Sequence, residues 1–263
     1  MTIFARQIVT TLFVLIALTV SACADATTGP ANEKLTLIAD TGRAADGNYL
    51  AGLSLTMSEG WHTYWRRPGD SGIAPQFDWS GSRNLKHVEI LWPVPLRFDA
   101  PDDVTYGYAV HVIWPLNITP VDPSQPVELS LTMSFGVCSD ICVPIEKKLE
   151  LKLPTDGSRD DGGSINAFLR RVPAALKDFD EVSVVRSEDL IAVTLKTTSD
   201  VPLLIAEGAK GVWFGPANAE RMGDIIHYQM PVVNNSGTPL GGTDIRLTFA
   251  GPDTALEVTR KLK

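Results

Sequence analysis

Cysteine is scarce in this chain, with three in 263 residues: Cys23, Cys138 and Cys142. That count excludes a disulfide-dense scaffold, and a chain of this length can bury real cores without such staples. Histidine is almost as sparse. His62, His87 and His111 share the first half, but none lies within a few residues of the paired cysteines, and a closed zinc site wants four ligands. Lys and Arg (23) are outnumbered by Asp and Glu (31) and form no basic run, so the net charge of −8 argues against nucleic acid and anionic membrane surfaces as partners. A phosphate-cradling glycine loop, a nucleophile elbow and carboxylates at a telling spacing are all missing. The longest apolar run, Ile8 to Val20, is short for a membrane span, and nothing later approaches the ~20 residues that a transmembrane helix needs.

That run follows Arg6 and ends in small residues, so residues 1–24 read as a signal peptide. Ala22-Cys23-Ala24 fits a small-residue cleavage site, leaving Asp25 as the first mature residue. Val20-Ser21-Ala22-Cys23 also resembles a lipobox, in which Cys23 would be lipidated. Either route removes Cys23 from disulfide chemistry. It also delivers Cys138 and Cys142 to an oxidising compartment, where a bridge is allowed.

The remainder reads as β-structure. Apolar residues alternate in Leu35–Ala39 and Asn48–Met57, and further strands are expected at His87–Trp92, Ala109–Leu116, Val127–Phe135 and Ile145–Leu153. Short strands with Pro and Gly turns between them signal a sandwich. Residues 155–164 are polar and turn-rich and read as a linker between a first domain, 33–154, and a second, 165–263. Ile165, Phe168, Leu169 and Val172 fall at helical spacing before Pro173, predicting one short helix after the linker. Seven more strand-like stretches follow, from Val182–Val185 to Leu256–Leu262, and a second β-sandwich without cysteine is expected there.

Chemistry concentrates in the first half. Cys138 and Cys142 are separated by Ser139-Asp140-Ile141. A bridge needs Cα atoms about 4.4–6.8 Å apart, whereas an extended strand would hold them ~13 Å apart, so the backbone must turn between them. Ser139-Asp140 is suitable turn text. So small a loop adds about 2 kcal/mol at most by the chain-closure estimate, and a labile exchange pair, a structural bridge and a metal site all remain open. Two thiolates could hold soft copper(I) without further ligands. Five of six Trp and four of five Tyr also lie in this half. A sandwich core accounts for them, as would an aromatic wall around the sulfurs. His62 and Tyr64, two apart, would share one strand face, from which either could hydrogen-bond a thiolate. Asp99 to Tyr108 reads as an acidic loop ending in two aromatics.

Gly60-Trp-His-Thr-Tyr-Trp65, Pro68-Gly-Asp-Ser-Gly72, Tyr106-Gly-Tyr108 and Gly136-Val-Cys-Ser-Asp-Ile-Cys-Val-Pro144 together resemble the periplasmic N-terminal domain of the thiol:disulfide interchange protein DsbD family. The likeness is strongest to its ScsB-type (suppressor of copper sensitivity) and cytochrome c biogenesis branch. These motifs cover about residues 35–153, and the second half resembles the extra β-domain of that branch loosely. The resemblance implies immunoglobulin-like sandwiches, a periplasmic location (soluble or lipid-anchored), and a cysteine pair relaying electrons from a membrane-embedded thiol reductase to thioredoxin-like proteins. Cys142 would be the sulfur attacked and Cys138 the resolving one. Asp103-Val104-Thr105-Tyr106-Gly107 would form a cap loop over the disulfide, with His62, Tyr64 and Asp103 beside it. The sequence departs from the family in its shorter cysteine spacing and in having Thr105 where the family's cap carries a shielding Phe, so Tyr106 or Phe98 would have to shield instead. These residues include no transmembrane electron carrier, so a separate membrane protein is expected to supply electrons.

Overall fold

Strict alternation of apolar residues builds the first sandwich. In Val127–Cys138 every second side chain, from Val127 to Val137, is buried, because successive residues of a strand face opposite sides of the sheet. The computed structural model describes residues 30–43, 47–69, 71–101, 103–155, 162–177, 181–187, 189–208, 212–234 and 240–262. The expected signal peptide, Cys23 and most of the expected linker therefore lie outside the described residues.

The described chain is mostly β, with a single helix. Its first part contains β1 (Lys34–Arg43), β2 (Tyr49–Thr56), β3 (His62–Gly69), β4 (Gln76–Asp78), β5 (Leu85–Ile90), β6 (Leu96–Ala100), β7 (Asp103–Ala109), β8 (His111–Pro120), β9 (Val127–Cys138) and β10 (Cys142–Leu153). There follow α1 (Gly162–Leu169), then β11 (Ala174–Ala175), β12 (Val182–Arg186), β13 (Leu190–Lys196), β14 (Leu203–Glu207), β15 (Val212–Phe214), β16 (Asn218–Met222), β17 (Ile225–Asn234), β18 (Asp244–Ala250) and β19 (Ala255–Lys261).

A four-stranded sheet, β1-β2-β8-β5, packs on a six-stranded one, β10-β9-β3-β7-β6, with β4 alongside β9. Trp114 sits fully buried between them, with Phe77, Trp92 and Tyr108 set edge-on around it at 5.7–6.5 Å. In the second unit, β11-β19-β18-β14 and the sheet β12-β13-β17-β15 (with β16 on β17) enclose Ile191, Val193, Tyr228, Leu247 and Phe249. Both units are immunoglobulin-like β-sandwiches. Helix α1 packs on the first of them, against β8 and β1. Ile165 is wholly buried there, and a side chain at Gly52 would meet it at 3.0 Å.

One stretch expected as a loop is largely strand: Asp99–Ala100 and Asp103–Tyr108 lie in the β6–β7 hairpin. Pro, Gly and clustered acids hide the two-residue period there, and pairing with distant strands overrides local preference.

Candidate functional site

The last residues of β9 and the first of β10 form a tight hairpin in which Cys138 and Cys142 are cross-strand partners, joined as a disulfide with Cα atoms 4.2 Å apart. The turn is closed by the amide of Ser139 donating to the carbonyl of Ile141. The two sulfurs are not equivalent. Cys138 is buried at 3% exposure in the body of the sheet, whereas Cys142 lies at the exposed lip beside Ile141, which is 67% exposed.

Strand β3 supplies the neighbours. His62 pairs with Cys138 on one side and with Ala109 on the other, and Tyr64 pairs with Gly107. His62 and Tyr64 thus share with Cys138 the outer face of the six-stranded sheet, the face turned away from the core. The Tyr64 hydroxyl lies 2.7 Å from Cys138 Sγ and 3.0 Å from Cys142 Sγ. Disulfide sulfurs carry no hydrogen, so the phenol is the donor to both.

Three glycines make room for this ring. A side chain at Gly72 would meet the Tyr64 ring at 2.7 Å, and one at Gly136 would meet it at 3.2 Å and Ile73 at 2.8 Å. At Gly107 a side chain would strike the Thr63 carbonyl oxygen at 1.9 Å, so β7 can lie against β3 only as glycine. The Thr63 hydroxyl donates to the Gly136 carbonyl at 2.8 Å, locking β3 to β9 beneath the sulfurs. Tyr64 is therefore 1% exposed although it stands on the outer face.

Burial raises the Tyr64 pKa, and the nearby Asp103 carboxylate raises it further, so the phenol keeps its proton as a donor. Asp103 accepts a hydrogen bond from the Ser71 hydroxyl through one oxygen, while its other oxygen is buried and unpaired. Burial lowers the His62 pKa below its ordinary value, favouring the neutral ring. That ring stacks on Phe98 at 4.4 Å and meets Tyr64 edge-on at 5.5 Å.

The residues expected to form the cap separate into two groups. Asp103 to Gly107 are strand β7 rather than a loop, paired with β6. Alternation along β7 brings Asp103, Thr105 and Gly107 to the sulfur-bearing face. Tyr106 belongs to the opposite, core face, where it lines a small gap with Arg67, Ile205 and Trp213. Of the two aromatic candidates for shielding, Phe98 is the one beside His62; it stands opposite Thr105 across the hairpin. The sequence reading missed the Gly72–Gly136 slot and Ile73. Both glycines were on view in the motifs, but their closeness to Tyr64 depends on the β3–β4 connection and β9 meeting on either side of its ring.

Residues 36–154 match the family model described as thiol:disulfide interchange protein DsbD, N-terminal. Among solved structures, the chain is similar to the crystal structure of the N-terminal periplasmic domain of ScsB from Proteus mirabilis. The TM-score is 0.70 at 20% identity, covering 88% of this chain and 93% of that one. At that identity the likeness concerns the fold, and it extends through both sandwiches. No curated protein sequence matches the chain significantly. Among the described residues, no helix is long and apolar enough to cross a membrane. The disulfide hairpin at the rim of an immunoglobulin-like sheet lies inside the stretch matched by the family model, so residues 36–154 are similar to DsbD N-terminal domains in both sequence pattern and fold.

Proposed function

We propose that the chain exchanges thiols and disulfides in the periplasm through Cys138 and Cys142, carrying electrons from a membrane-embedded reductase to thioredoxin-like proteins. The asymmetry of the two sulfurs carries this reading: one is exposed, the other buried against a phenol that donates to it. In the first step a partner thiolate attacks Cys142 Sγ. A new S–S bond forms between partner and Cys142 as the Cys138–Cys142 bond breaks, and Cys138 leaves with the electron pair as a thiolate. The Tyr64 hydroxyl, already 2.7 Å from that sulfur, stabilises the thiolate by a charge-assisted hydrogen bond. The partner's second thiolate then attacks its own sulfur in the mixed disulfide. Cys142 is released as a thiolate, and the chain is now reduced by two electrons. Running the steps backwards delivers those electrons to an oxidised partner.

His62, stacked on Phe98, stands beside Cys138, while burial and, secondarily, Asp103 raise the Tyr64 pKa above its ordinary value. The electrons serve cytochrome c maturation or copper tolerance, and the identity of the acceptor decides between the two. Equilibration of the folded chain with glutathione buffers tests the exchange. The expected outcome is a reversible dithiol–disulfide transition within the range of periplasmic exchangers, whereas a bridge that resists millimolar glutathione until the protein unfolds contradicts it.

A further inference from the structure

Strand β3 carries the redox neighbours at one end and a polar clamp at the other. Its register with β7 runs through Tyr64 opposite Gly107 and resumes only at Gly69 opposite Thr105, so four residues, Trp65 to Pro68, stand against the single residue Tyr106. Such a bulge redirects the side chains it contains. Trp65 drops into the core of the first sandwich, while Arg66 and Arg67 reach the second. Arg66 lies over the Trp65 ring at 4.3 Å and forms a fork with Glu207, through Nε at 3.1 Å and Nη2 at 2.7 Å. Its Nη2 also bonds Glu257, which itself accepts from Thr248. The Arg66 and Glu207 side chains are 16% and 15% exposed. Arg67 donates to the carbonyls of Gly208 and Val212 and stacks over Trp213 at 4.5 Å. Ile205 of β14 is buried against the first core alongside this clamp.

One end of the bulge touches the sulfurs, and the other rests on β7, which carries Asp103 beside the site. Tyr64, at one end, bonds both sulfurs. At the other, Gly69, in a left-handed conformation (φ 96°), rests on the β7 backbone so closely that a side chain there would meet the Val104 oxygen at 2.2 Å. We infer that the second sandwich is a positioning element for the disulfide: by gripping Arg66 and Arg67 it fixes the bulge that sets Tyr64 against the sulfurs and seats the β6–β7 hairpin beside them. The inference rests on the exchange reading above, and Arg66 is on this view a positioning residue that never touches the reacting atoms.

The test uses the full chain with Arg66→Met, which removes the fork while keeping a long apolar side chain, and Arg66→Lys, which keeps the charge. Each protein is reduced, and the rate of Cys142 alkylation by iodoacetamide is followed against pH, with near-ultraviolet circular dichroism reporting the fold. Coupling of this kind predicts a rate change in Arg66→Met of roughly two- to thirtyfold, together with a displaced pH midpoint. Arg66→Lys should recover most of the wild-type profile. If Arg66→Met fails to fold, Glu207→Gln with Glu257→Gln, both on the second sandwich, is measured in its place with the same expectation. Folded variants whose rate and midpoint equal those of the wild type overturn the positioning role. Alkylation needs no exchange partner, so a wild type that fails to equilibrate with glutathione would refute the exchange function separately, leaving the coupling result to stand or fall alone.

Discussion

In the proposed exchange, Tyr64 is the side chain on which the chemistry turns. Its single proton faces two sulfurs, and only when Cys138 becomes a thiolate does that hydrogen bond gain the strength of a charged acceptor. Tyr64→Phe should keep the packing of the ring and slow thiol exchange by about tenfold or more, since a hydrogen bond to a charged group contributes ~1.5–3 kcal/mol. Stopped-flow tryptophan fluorescence against a reduced thioredoxin-like protein would measure it, and an unchanged rate would remove the phenol from the mechanism. His62 makes a prediction with a definite sign. Its folded pKa lies below the ordinary 6.5, so between those two values the unfolded chain binds more protons than the folded one, and stability falls as pH drops through that window. Urea midpoints at pH 7.5 and 5.5 should therefore draw closer together in His62→Gln than in the wild type. The sequence makes the shared face of His62 and Tyr64 legible, because period two is a local rule. It does not reveal that Tyr64 reaches both sulfurs, nor that Tyr106 turns to the core while Phe98 stands by His62. The second of these depends on where β7 joins the ladder and how it pairs with β6.

The site at the level of elements is a junction of three strands, β3, β7 and β9, brought into close contact by glycine. Gly107→Ala should push β7 off β3 at the Thr63 carbonyl and cost about 1–3 kcal/mol in urea unfolding, with exchange impaired in parallel. Retained stability would mean that the backbones can separate freely there. The cysteine hairpin is the opposite case. Its ring closes so few residues that replacing both Cys138 and Cys142 by Ala should lower unfolding stability by about 2 kcal/mol or less, leaving a folded protein. A collapse of the fold would instead mark the bridge as a structural staple. This hairpin was the most readable element, since the turn text lies between two strongly alternating runs. The β6–β7 hairpin was the least readable: its acids and Pro101 suggest a loop, and only pairing with β3 draws Asp103–Ala109 into the sheet.

The whole molecule joins two sandwiches, with the disulfide at the rim of the first and a charged clamp tying the second to the strand beside it. The all-β class and the count of two sandwiches are written in the alternation and in the polar break before α1. The clamp is not, because Arg66 and Glu207 are far apart in sequence and nothing local marks either as paired. At this scale a framework that buries Trp114, Leu116, Leu129 and Phe135 has little need of a small sulfur ring for stability, which supports the proposal that the ring is there to be opened. The most direct measurement is trapping. The Cys138→Ala chain, incubated with a thioredoxin-like protein that lacks its own resolving cysteine, should yield a stable mixed disulfide whose tryptic map places the link at Cys142, while Cys142→Ala yields none. A link found at Cys138 instead, or no adduct from either variant while the chain remains folded, would contradict the account.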